Sequence, residues 1–115
     1  MRTEIIETKA GAVSRLWLEG EPISRPGDFL ELLLNCPTSV VAIDAKALAD
    51  GFFDLKSGIA GELLQKVSNY RRSLIILGDF EGVPAGALKD FLYESNKTGK
   101  VIFERDLDRA INLLR

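Results

Sequence analysis

The feature that most constrains this chain is the alternation of short, unbroken apolar runs with longer stretches of helical period. Ser39-Val40-Val41-Ala42-Ile43, Leu74-Ile75-Ile76-Leu77 and Val101-Ile102-Phe103 are too short for helices and too uniformly apolar for strands with one wet face. Runs of that kind suit strands covered on both sides. Between them, apolar residues recur at steps of three and four. The stripes are Phe29, Leu32, Leu33 and Cys36; Ile59, Leu63, Val67 and Tyr70; Leu88, Phe91 and Leu92; and Leu107, Ala110, Ile111 and Leu114. The spacing predicts helices over about Pro26–Asn35 and Leu55–Asn69, from near Pro84 to Gly99, and onward from a capping Asp106.

Residues 4 to 8 and 12 to 18 read as two short strands joined at Lys9-Ala10-Gly11, a hairpin at a sheet edge. The predicted order is β-β-α-β-α-β-α-β-α. Strands that alternate with helices predict an α/β fold with a mostly parallel sheet and right-handed crossovers. Without a repeat, linker or low-complexity segment, residues 1–115 read as a single domain.

Composition narrows the chemistry. Hydrophobic residues make up 46% of the 115-residue chain, enough for a core. The net charge of −2 lacks the basic excess typical of nucleic-acid binders. Histidine is absent, which removes the commonest general base and metal ligand. The single Cys36 forms no intrachain disulfide, fits a reducing cytoplasm, and reads as core filling on its helical stripe. The first residues run into a strand pattern without a signal-peptide core, and no apolar stretch is long enough to span a membrane. No cofactor loop is present: Gly78-Asp79-Phe80-Glu81-Gly82 matches neither a Walker loop nor a dinucleotide fingerprint and reads as a turn, with Phe80 a candidate exposed aromatic.

Two resemblances sharpen these expectations. The element order, with Ser39–Asp44, Phe52-Phe53-Asp54, Ser57-Gly58-Ile59, Gly61-Glu62-Leu63-Leu64, Leu74–Leu77 and Val101–Glu104, resembles the STAS domains of bacterial anti-sigma factor antagonists. A closer resemblance, to a bacterial family known only as a domain of unknown function, rests on four segments. They are Phe52–Glu62, Ser68-Asn69-Tyr70-Arg71, Gly78-Asp79-Phe80 and Phe91–Asn96.

The STAS resemblance implies a non-catalytic regulatory module, not an enzyme, with an anti-sigma or kinase-like protein as partner. It implies Ser57 as the candidate phosphosite, Asp54 as its neighbouring acid, and Gly58 and Gly61 as close-packing glycines. With Lys56, Glu62 and Lys66 these form the expected docking surface. A helix N-terminus favours a phosphate, and phosphoserine adds a charge of roughly −1.5 to −2. The antagonists place one residue between the acid and the serine. Here Leu55 and Lys56 both intervene, and Ala60 is added before Gly61, so counting from either end lands on Lys56 or Gly58. Ser57 also reads simply as a helix cap, with the glycines allowing close helix–sheet approach.

Other groupings carry alternatives. Asp44, Asp79 and Glu104 each follow a predicted strand and could hold Mg²⁺ or a phosphoryl group at the sheet's carboxyl edge, or serve as caps and turn formers. Lys56, Lys66, Arg71 and Arg72, with Tyr70 and Tyr93, form either a modest basic patch or a solvated face. Ser95-Asn96-Lys97-Thr98-Gly99 reads as a helix end with a capping glycine, with binding as the alternative. The hairpin edge near Ile5 to Trp17 is a candidate for homodimer formation by strand addition.

Overall fold

Two strands open the chain in the computed structural model, which describes residues 1–115. Arg2–Thr8 (β1) and Gly11–Trp17 (β2) pair antiparallel from Arg2 opposite Trp17 to Thr8 opposite Gly11. Gly11 takes a left-handed φ of 94°, closing the turn where a side chain would be strained. Then follow Pro26–Leu34 (α1), Val40–Asp44 (β3), Ile59–Asn69 (α2), Ser73–Leu77 (β4), Ala87–Thr98 (α3), Val101–Glu104 (β5) and Leu107–Leu113 (α4). This is the expected order, including the mostly parallel sheet flanked by helices.

The five strands lie in the order β1-β2-β3-β4-β5, and every pair after the hairpin is parallel. Each crossover steps the same way, so right-handed connections place α1, α2 and α3 on one face. That face holds the larger core, where Phe29 and Leu33 of α1, Leu63 and Val67 of α2 and Leu92 of α3 meet Leu16, Val41, Ile43, Leu74, Ile76 and Phe103. Only α4 covers the opposite face, packing Ala110 and Ile111 on Val13, Val40, Ala42, Ile75 and Ile102. The alternation of β3 and β4 between the two cores explains their uninterrupted apolar runs.

Two helix starts and one buried position differ from expectation. Helix α2 begins at Ile59, because Leu55–Ser57 forms a separate 3₁₀ turn and Gly58, at a left-handed φ of 76°, breaks the helical path. Helix α3 begins at Ala87, because Gly86 at φ 152° adopts a conformation that side chains rarely allow. Tyr70, expected on the apolar face of α2, lies one residue past the helix end and is 53% exposed.

Candidate functional site

The segment between β3 and α2 is built from three successive 3₁₀ turns, Ala45–Ala47, Asp50–Phe53 and Leu55–Ser57. Phe52 anchors it, buried edge-on to Phe53 with ring centroids 5.0 Å apart. Phe53, Phe80 and Phe91 all pack around Phe103. Phe80, a candidate exposed aromatic, is therefore half-buried.

Ser57 closes the segment. Its Oγ lies 2.7 Å from each of the carbonyls of Gly51 and Asp54 and accepts the N–H of Ile59 at 3.2 Å. The single hydroxyl hydrogen is shared between the two carbonyls. Asp54 accepts the N–H of Lys56 at 3.1 Å and so caps the last turn. Ser57 therefore ties the loop to the start of α2, and Gly58 occupies the N-cap position itself.

Asp54, Lys56, Ser57, Gly58, Gly61 and Glu62 are all exposed, while Lys66 is half-buried one turn past Glu62 on α2. The glycines do not serve close packing. A Cβ built on Gly58 or Gly61 meets nothing within 4 Å. Gly58 is there for its backbone conformation. Gly61 leaves a bare patch of helix backbone facing outward.

The three strand-end acids stay apart. Asp44 and Glu104 align with Leu77 between them, two strands away from each other, which is about 10 Å. Asp44 pairs with Arg15 at 2.8 Å, Asp79 accepts the N–H of Glu81, and Glu104 accepts that of Arg105. No group of three or more acidic, Cys or His side chains is placed to hold a metal. The strand order never reverses, so the sheet also lacks the crevice that a switch point opens in doubly wound folds.

Register creates a feature that local spacing conceals. The guanidinium of Arg2 lies 4.0 Å and that of Arg15 4.5 Å from the centre of the Trp17 ring. Trp17 and Asp44 also line a depression of about 260 Å³ with Pro22 and Lys46. A second groove, of about 630 Å³, shares Pro22 and Lys46 and runs to Asp50 and Phe53 on the Ser57-tied loop. The only sequence signal for this surface is the position of Arg15 and Trp17 on one face of a strand.

The remaining candidates do not gather into a second site. Cys36 is buried, donates to the carbonyl of Leu32 and has its thiol pKa pushed up by burial, against smaller opposing effects of Ser14 and Arg72. The four cations do not form one patch, since Lys56 and Arg71 flank opposite ends of α2. Tyr70 and Tyr93 are both exposed, on different elements. Ser95 and Asn96 point inward. Ser95 Oγ donates to the carbonyl of Val101 at 2.6 Å, and the Asn96 amide both donates to and accepts from the Phe103 backbone, at 3.0 and 2.7 Å. They act as a surrogate strand along β5, and Gly99 caps α3 at a left-handed φ of 83°.

A five-stranded, mostly parallel sheet flanked by helices defines an α/β protein, and its most built surface feature is the Ser57-tied loop. The family model for a domain of unknown function, DUF4180, matches residues 9–114, and the chain belongs to that family. Neither a curated protein nor a solved structure matches it. No helix is long and apolar enough to cross a membrane.

Proposed function

We propose that this chain is a bacterial, STAS-like regulatory module that binds a protein partner through the Asp50–Gly58 loop and the first turns of α2. Ser57 phosphorylation is its switch. The observation that carries the proposal is the Ser57 hydroxyl, which is exposed and holds the loop to the helix through its own hydrogen. A phosphoryl group delivered by a kinase replaces that hydrogen. The carbonyls of Gly51 and Asp54 then lose their donor and face a group of charge roughly −1.5 to −2. The Asp54 carboxylate adds repulsion, while the start of α2 attracts the phosphate. The loop must rearrange, and the surface formed by Asp54, Lys56, Gly58, Gly61, Glu62 and Lys66 changes shape with it. The bare backbone at Gly61 admits close approach of a partner.

The test is affinity purification of tagged wild type, Ser57→Ala and Ser57→Asp from the native host, with intact mass to detect phosphate. The expected result is a partner held by one form and released by the other, with phosphate on Ser57. Equal recovery in all three forms without phosphate overturns the switch.

A further inference from the structure

The two edges of the sheet are treated differently. The outer edge of β5 is closed from within, because Ser95 and Asn96 satisfy the outward carbonyl of Val101 and both backbone groups of Phe103. The outer edge of β1 carries no such cover. Its seven residues run without proline or bulge and Arg2–Ile5 are all exposed, while α4 approaches only the far half, where Ile6 to Lys9 and Leu107 to Asn112 line a common groove. An open edge of this length is a template for another strand.

We infer that the strand it receives is β1 of a second copy, joined antiparallel about a twofold axis through Ile5. The side chains and backbone select this register. In a continuous sheet, opposite residues point to the same face, so the axis must pass through a residue and not between two. The outward backbone groups alternate, and the same condition sets them opposite one another. Only an axis at Ile5 pairs all seven residues, Arg2 with Thr8, Thr3 with Glu7, Glu4 with Ile6, and Ile5 with its twin. No like charges then face each other. An axis at Glu4 or Glu7 sets two carboxylates together, and one at Ile6 pushes Arg2 and Thr3 past the end of the partner strand. Ile5, 47% exposed in one copy, is covered by the other. The contact is isologous and closes at two copies, giving one ten-stranded sheet. It leaves the Ser57 surface free.

Light scattering coupled to size exclusion, from low micromolar to millimolar chain, tests the inference. Wild type is expected to reach twice the 12.7 kDa of one chain, and Ile5→Lys to remain at the single mass with an unchanged unfolding midpoint. Register is tested by oxidation in a Cys36→Ala background. Ile5→Cys meets its own twin within disulfide reach and cross-links, whereas Thr3→Cys, opposite Glu7, does not. A monomer at every concentration overturns the inference and leaves the edge to a strand of another protein. A dimer indifferent to Ile5→Lys, or equal cross-linking of both cysteine variants, also overturns it. Partner capture by Ser57 is measured separately, so failure of either proposal is told apart from failure of the other.

Discussion

Asn96 is the most informative side chain to remove. Asn96→Ala strips the partner from both the N–H and the carbonyl of Phe103, a residue only 3% exposed. A buried polar group left unpaired costs about 1–3 kcal/mol. Asn96 itself is half-buried, so water can reach part of the gap, and the lower end of that range applies to each group. The expected loss is about 2 kcal/mol, or a drop in Tm of roughly 8 °C for a domain of this size. Urea denaturation followed by Trp17 fluorescence and far-ultraviolet dichroism measures it, with an unchanged m value showing that the two-state transition is preserved. Asn96→Asp adds a sign test. Its carboxylate still accepts from Phe103 N–H but places a second anionic oxygen against the Phe103 carbonyl, so its folded pKa lies above the unfolded value. The penalty is therefore present above the folded pKa and disappears as pH falls below about 3.9. A midpoint for Asn96→Ala within about 0.5 kcal/mol of wild type would refute the surrogate-strand account.

Three further expectations follow from the packing. Gly78→Ala would place its Cβ 2.9 Å from the Cβ of Ala45, a short and rigid neighbour. It should cost about 1–3 kcal/mol, read from the urea midpoint. Gly61→Ala meets open space in a helical backbone and should raise stability by about 0.5–1 kcal/mol, while weakening capture of a partner that needs the bare backbone. Burial holds the Cys36 thiol above its ordinary pKa, so above about pH 8.5 the unfolded chain releases a proton that the folded chain keeps. Stability should then fall as pH rises toward the folded pKa, and Cys36→Ala should flatten that slope in denaturation titrations.

The parts of this protein legible in its sequence are those decided by neighbours along the chain. The apolar runs of β3, β4 and β5, the stripe of each helix and the Lys9–Gly11 turn all appear within a few residues, because periodicity is a local property. Periodicity did not single out Ser57, which entered only through the resemblance of its segment to the STAS motif; its exposure is a property of the folded chain. Sequence alone could not separate a helix starting at Leu55 from a 3₁₀ turn held by Asp54 and Ser57, since that choice rests on Ser57 Oγ donating back to the carbonyls of Gly51 and Asp54 and on the Asp54 carboxylate accepting the N–H of Lys56. Tertiary structure decided the rest. Strand order keeps Asp44 and Glu104 two strands apart, and register brings Arg2 and Arg15 to Trp17 and pairs Arg15 with Asp44. The return of α3 along β5 turns Ser95 and Asn96 from helix-end polar residues into the cover of one sheet edge, while β1 stays open. Contacts between segments far apart in the chain follow from how the whole sheet twists, crosses over and packs, and no window of neighbouring residues contains that information.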